Sequence, residues 1–389
     1  MKRYRGREAY FFAFLLCLSQ AVAAPESGTT AEGVSTPFEG PNYPRWNFGV
    51  ANTFYAYNGE NTAWETTRVT LTYLDDLVEP FVQFRTSDAL GFKIGVGALV
   101  GMNQEAKVKE YYPFLQTKLS FPHWTADFGS LDGHHDFPAP ILDPLTNVVA
   151  QLRTNGSDQV PVHYESFPRT GEYTHGVYEY GASLRWFDVN QRGELYINWQ
   201  LPDTTNHRER FDIGITHREA TSDLPLYFSA HYWHNGGHEN PHLIPITENY
   251  TAALGLREDT YSVLLLGSLF LPDRQGVPNV KIAGTALYAD FTLRSGSWAV
   301  TPSLFLSDEF RNHANHYFAV EGDPFFRAPF YVGLNFEKIW KWFEGCELRM
   351  GFVNGLFQRS VNEKFNPTQL RYDQMVHFTF RYLFGKENG

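Results

Sequence analysis

From Leu370 to Phe384 the chain reads LRYDQMVHFTFRYLF, and its two parities differ sharply in chemistry. Tyr372, Gln374, Val376, Phe378, Phe380, Tyr382 and Phe384 share one parity, and Arg371, Asp373, Met375, His377, Thr379, Arg381 and Leu383 the other. Successive side chains of a strand point to opposite faces. One face of such a strand is almost wholly aromatic or aliphatic, and the other is mostly charged and polar.

The same period of two recurs along the chain. Trp46, Phe48, Val50 and Phe54 alternate with Asn47, Gly49, Ala51 and Thr53, and Asn58-Gly59 then reads as a hairpin turn. Strand patterns follow at Glu65–Tyr73, Phe81–Arg85, Phe92–Val100, Tyr112–Phe121 and Trp124–Leu131, the last two joined at Pro122-His123. Beyond Val177, Tyr178, Tyr180, Ala182, Leu184 and Trp186 oppose Glu179, Ser183 and Arg185. Leu195, Ile197, Trp199 and Leu201 oppose Glu194, Tyr196, Asn198 and Gln200, and Phe211, Ile213 and Ile215 oppose Arg210, Asp212, Thr216 and Arg218. Runs continue over 225–235, 249–257, 260–271, 279–293 and 297–307. Phe330, Val332, Leu334 and Phe336 then face away from Tyr331, Asn335 and Glu337; the aromatic stretch Ile339–Phe343 reads as a turn; and Cys346, Leu348, Met350 and Phe352 oppose Glu347 and Arg349.

Two connections interrupt the rhythm. The segment Asp132–Thr174 carries Pro138, Pro140, Pro144, Pro161 and Pro168, and a structureless segment of that length in a compact fold is usually functional. Its apolar cluster (Phe137, Ile141, Leu142, Leu145, Val148, Val149) favours burial, as a constriction or plug; the alternative is a surface loop. The second connection is Asp308–Arg327.

The N-terminus has the layout of an export signal: basic Lys2, Arg3, Arg5 and Arg7, an apolar run Tyr10–Leu18, and Ala21-Val22-Ala23 for cleavage. Phe14, Leu15 and Leu16 before Cys17 lack the small residue of a lipoprotein signal. Cleavage leaves 28 Lys and Arg against 42 Asp and Glu, an acidic balance of −14 that excludes nucleic acid as a natural partner. It also leaves one cysteine, Cys346, so no internal disulfide supports the mature chain. No other apolar stretch is long enough for a spanning helix. Aromatics make up 16% of the chain while its mean hydropathy is negative. An outer girdle of aromatics around a polar interior reconciles the two.

Signal, strand period and aromatic terminal strand together resemble the Gram-negative outer-membrane β-barrels, porin-like in architecture, although Gly385–Gly389 follow the terminal Phe384. The resemblance implies an all-β, closed antiparallel transmembrane barrel of about 16 strands, within a span of about 14 to 18. The domain order is a signal peptide at 1–23, a periplasmic lead-in at 24–44 and the barrel at 45–389. Its partners are outer-membrane lipid, the barrel-assembly machinery, hydrophilic solutes and a periplasmic or membrane partner protein.

The residues expected to line the lumen are Glu179, Arg185, Glu194, Arg210, Asp212, Arg218, Glu337, Glu347, Arg349, Arg371, Asp373 and Arg381. Six acids and six arginines give no strong ion selectivity. With Tyr196, Trp233 and Tyr331 they suit a neutral polar solute, or simply fill an interior with paired charges. The histidines His134, His135, His231, His234, His238 and His242 match no metal spacing, and a strand sends His231 and His234 to opposite faces. No metal, cofactor or CxxCH haem site is expected. Ser130 and Ser268 are candidate nucleophiles, but no serine sits in a GxSxG frame, so the chain is not expected to be an enzyme. The leading reading is a channel for small or polymeric hydrophilic solutes. The alternatives are a sheath for an export or electron-transfer partner and a rim enzyme acting on lipid.

Overall fold

The computed structural model describes residues 46–62, 68–87, 89–101, 107–131, 135–138, 140–141, 179–201, 210–219, 224–235, 247–271, 281–310, 329–343, 346–358 and 369–384. The signal peptide and lead-in lie outside these residues. The described chain is all strand: β1 Trp46–Thr62, β2 Arg68–Arg85, β3 Leu90–Gly101, β4 Lys107–Phe121, β5 Trp124–Leu131 and β6 Glu179–Phe187. There follow β7 Gln191–Leu201, β8 Arg210–Glu219, β9 Leu226–Asn235, β10 Thr247–Arg257, β11 Tyr261–Leu271 and β12 Ile282–Phe291. β13 Leu293–Ser295, β14 Trp298–Asp308, β15 Phe330–Phe343, β16 Cys346–Gln358 and β17 Gln369–Phe384 complete the chain.

All 17 form one antiparallel sheet in which sequence neighbours are spatial neighbours. β1 pairs with β2 on one side and with β17 on the other, from Phe48↔Phe384 to Asn61↔Arg371. The three-residue β13 continues β12 past Thr292, and both pair with β14. Short connections (86–89, 122–123, 188–190, 258–260, 296–297, 344–345) gather at one end of the ladder, and the longer ones (132–178, 202–209, 236–246, 272–281, 309–329, 359–368) at the other. By their register, the first residue of β1 and the last of β17 sit at the short-connection end.

Two sequence expectations are corrected here. Asn58-Gly59 does not turn the chain: it lies inside β1, paired with Thr72-Leu71 and Gln374-Asp373, because both neighbours extend beyond it and hold it in the ladder. Ile339–Phe343 is the end of β15, with Trp340 opposite Leu348 and Phe343 opposite Cys346. Of the runs 65–73 and 81–85, the described residues lie in the one strand β2.

Alternation along β11 shows how the faces divide. Ser262, Leu264, Leu266, Ser268 and Phe270 are buried, whereas Val263 and Leu265 are exposed. The exposed face carries Phe48, Ile94, Leu115, Phe228, Leu254, Leu287, Val332, Leu334 and Phe336 along the sheet. The buried face mixes polar groups with Tyr196, Tyr227 and Ala253 on β7 to β10, and these join one apolar cluster with Leu264, Leu266, Tyr288, Phe305, Tyr331 and Phe357 further on. Phe310 enters that cluster just after β14. It can do so because Gly284 has no Cβ: an added one would stand 2.1 Å from the Glu309 carbonyl oxygen.

β5 is only 8 residues long, against 15 in β4. It pairs with β4 from Gln116 to Phe121 and leaves the sheet after Leu131. Further along, Phe137 and Ile141 lie on the buried face and belong to the same apolar cluster.

Candidate functional site

The first group of polar residues is built around this inturned segment. His135 stacks on Tyr196 of β7 with ring centroids 3.6 Å apart, and its Nδ1 lies 3.1 Å from Glu194 Oε2. Glu194 Oε1 accepts from Arg185 Nε at 2.8 Å, and Arg185 reaches towards Asp127 at 3.9 Å. Asp127 in turn accepts from Gln116 Nε2 at 3.2 Å. Phe137 meets Tyr196 and His231 edge to face, and His231 Nε2 lies 3.4 Å from Asp212 Oδ2. Buried charges need such partners, because desolvating an unpaired one costs several kcal/mol.

Asp136 is held at the short-connection end. Arg218 Nη2 donates to both of its carboxylate oxygens, at 2.9 and 3.0 Å, and Arg257 Nη2 lies 3.1 Å from Oδ1. Tyr227 donates its hydroxyl to the Asp136 carbonyl at 2.6 Å, and Arg257 donates to the Phe137 carbonyl at 3.0 Å. In the turn between β10 and β11, Asp259 accepts from Arg192 and Arg218. Burial alone would raise the Asp259 carboxyl, but the two guanidiniums outweigh it and hold the group below the ordinary carboxylate range.

Of the residues expected to line a lumen, Glu194, Asp212 and Arg218 are buried on the inturned segment's side of the sheet, and Arg185 and Glu337 are half-buried. The structure joins Arg185 to Glu194, but pairs Arg218 with Asp136 and Asp212 with His231. The side chains of Glu179, Arg210, Glu347, Arg349, Arg371, Asp373 and Arg381 lie outside the described residues. Ser130 and Ser268 are both buried on the sheet. Tyr196 and Tyr331 sit in the apolar cluster. Among the described residues, no group of three His, Cys, Asp or Glu is placed to hold a metal ion.

A second polar group lies on the opposite, exposed face, at the long-connection end of β9 and β10. Pairing sets Glu248 opposite His234 and Tyr250 opposite Tyr232. Glu248 is only 2% exposed. Its Oε1 accepts from Tyr232 at 3.3 Å and its Oε2 from Tyr250 at 3.2 Å. His234 Nδ1 lies 3.5 Å from Glu248 Oε1 and 3.2 Å from the Tyr232 hydroxyl. Tyr232 and Tyr250 stack at 4.7 Å, while Phe211 packs on His234 at 5.0 Å and on Trp199 at 5.4 Å. The result is a carboxylate–imidazole pair seated in aromatic rings, on a stretch of that face where Leu195, Ile197, Ile213, Ile215, Phe228 and Leu254 are its neighbours. With Nδ1 turned to the carboxylate, the imidazole offers Nε2 as a base. The sequence signal was present in the shared parity of Tyr232 with His234 and of Glu248 with Tyr250. What the sequence did not supply was the register that sets the two pairs side by side.

The model of the lipid A 3'-O-deacylase-type family matches residues 44–331. The chain belongs to that family. This overturns the expectation that the chain is not an enzyme, which rested on the missing GxSxG frame; that frame marks one kind of hydrolase, and a hydrolase can instead use a histidine to activate water. No curated protein matches this deacylase-type chain at the level of sequence. Among solved structures, OpdL of Pseudomonas aeruginosa is similar at a TM-score of 0.48 and 12% identity, over 87% of this chain and 99% of that one. OccAB4 of Acinetobacter baumannii follows at 0.42 and 9%, over 89% and 100%. A triple mutant of the Rhodopseudomonas blastica porin gives 0.41 and 12%, over 86% and 100%. The likeness to these porins is one of architecture.

Proposed function

We propose that the deacylase-type chain is an outer-membrane enzyme that hydrolyses an acyl ester of a lipid in the outer leaflet, lipid A being the substrate class its family name indicates. The family match over 44–331 carries this reading. In it, the β1–β17 pairing closes the sheet into a transmembrane barrel, which counts as 16 crossing strands when β12 and β13 are taken as one. The exposed face then meets lipid, and the buried face, with the twelve residues expected there, surrounds the interior. Barrels of this kind place short turns in the periplasm and long loops outside the cell. That orientation puts Glu248 and His234 at the level of the outer leaflet.

A carboxylate on a lipid-facing wall is disfavoured unless it is near the interface or partnered, and Glu248 is both. His234 Nε2 takes a proton from water as the oxygen attacks the ester carbonyl. The imidazolium, held by Glu248, returns that proton to the departing alkoxide, giving a free fatty acid and an alcohol. Trp199, Phe211 and Tyr250 offer aromatic surface for the acyl chain. The interior, occupied by the segment around Phe137, speaks against an open passage over that stretch.

The test is to incubate the folded protein with lipopolysaccharide and weigh the lipid A by mass spectrometry. Loss of one acyl group is expected, and His234→Gln should slow it about 10²–10⁴-fold, the usual contribution of a general base. A folded wild-type protein that releases no acyl group overturns the reading; an active His234→Gln variant overturns only the residue assignment.

A further inference from the structure

At the short-connection end, a cavity of about 580 Å³ opens beside the inturned segment. Arg192, Arg218, Arg257 and Arg294 line it, together with Asp136, Glu258, Asp259 and Asp290. Four guanidiniums thus face four carboxylates. Three of those carboxylates belong to the sheet and its turns, but Asp136 arrives on the inturned segment. Without it, one positive charge is in excess. The charge that needs an answer lies largely out of water, since the Arg218 side chain is 7% exposed and that of Arg257 is 16% exposed. Arg218 also keeps a donor in reserve: its buried Nε has no hydrogen-bond partner among the described residues.

We propose that this pocket is a binding site for a small free oxyanion of the phosphate type, and that the Asp136 carboxylate is its tethered occupant. Arg218 Nη2 donates to both oxygens of that carboxylate, and guanidinium N–H groups bind phosphate oxygens as they bind carboxylate oxygens. Arg192 lies at 4.0 Å from Asp136, close enough to turn to a larger, tetrahedral guest. A tethered carboxylate competes at an effective concentration in the millimolar range, so a free anion must match that to displace it. Once it does, His135, Phe137 and Ile141 lose the anchor that fixes one end of their segment. The site is separate from Glu248 and His234, which lie on the other face and at the other end of the sheet, and it does not depend on the activity proposed for them.

Calorimetric titration of the detergent-solubilised full chain with inorganic phosphate tests the site. Asp136→Asn removes the competing charge and should bind phosphate at least tenfold more tightly than wild type. Adding Arg192→Gln, at a side chain that is half exposed, should reverse that gain. Hydrogen exchange of wild-type residues 135–141 provides a second measurement should either variant fail to fold, and it should quicken as phosphate is added. Equal affinity in wild type and Asp136→Asn, retained affinity in the double variant, or exchange indifferent to phosphate would each overturn the proposal.

Discussion

Replacing Phe137 by alanine separates the inturned segment from the sheet that holds it. Phe137 is 1% exposed and packs edge to face on Tyr196 and His231. Truncating a buried Phe to Ala costs about 3–5 kcal/mol. The ladder pairs of β7, β8 and β9 do not pass through Phe137, so the cost falls on the seating of 135–141. Each 1.4 kcal/mol is a factor of ten in a population, so the unseated form should gain roughly a hundredfold or more. The Phe137 amide donates to His135 O and the Ile141 amide to Pro138 O, both at 2.9 Å, and these bonds report the seating. Hydrogen exchange read by mass spectrometry should therefore show protection of 135–141 falling by at least a hundredfold in Phe137→Ala. Protection of β8 and β9 should stay within about threefold, since their ladder hydrogen bonds are made strand to strand and survive the loss of the ring contact with His231. Unchanged exchange in 135–141 would refute the packing argument. Equal loss in β8 and β9 would show that segment and sheet open as one unit.

Further outcomes follow from other positions. Leu265 is 62% exposed in the middle of β11, and Leu265→Arg should lower folding yield in bilayers by an amount equivalent to about 2–4 kcal/mol if that face meets lipid; wild-type yield would mean that it does not. Gly214→Ala would set a Cβ 2.3 Å from the Tyr196 ring and 2.7 Å from Phe137, so it should speed exchange of 135–141 as Phe137→Ala does; unaltered exchange would show that the rings can yield. Asp259, with its carboxyl held low by Arg192 and Arg218, supports the fold above the ordinary carboxylate range and loses that support as pH falls through its lowered value. Asp259→Asn should therefore lower Tm at pH 6 and converge with wild type in strong acid; its side chain is 77% exposed, so the difference should be small. A gap that persists at low pH would assign the effect to something other than the carboxylate.

The division of faces on β7, β8 and β9 was legible because a period of two needs no knowledge of neighbours. Glu194, Asp212 and Arg218 are buried together on one face of the sheet. Turn signals misled where pairing overrode them: Asn58-Gly59 favours a hairpin in isolation, but partners on both sides keep it extended. The apolar cluster in Asp132–Thr174 announced burial, and its Phe137 and Ile141 are buried. No local pattern connects Asp136 with Arg218 and Arg257, which stand 82 and 121 residues away. His234, like His231, matches no metal-ligand spacing in the sequence. Its relevant partner, Glu248, is on the next strand, and that pairing is fixed by register, which a single sequence does not display.

The shortness of β5 ties two properties of the molecule together. Above Gln116, the first nine residues of β4 (Lys107–Leu115) have no β5 partner among the described residues. Pro113 falls in that stretch, a residue suited to a strand margin because it has no N–H to leave unpaired. Its carbonyl is taken instead by the Tyr180 hydroxyl, which reaches across from β6 at 2.9 Å. The fabric therefore has a seam on that flank, and Tyr180 is a stitch across it. The chain that would mend the seam is the one whose Phe137 and Ile141 cover the buried face: had β5 continued beside β4, those side chains would be drawn into the weave and that face laid bare. A substitution that favours strand over segment there should mend the seam and bare the buried face in one step, so the tightness of that flank and the cover over Tyr196 are expected to vary in opposite directions.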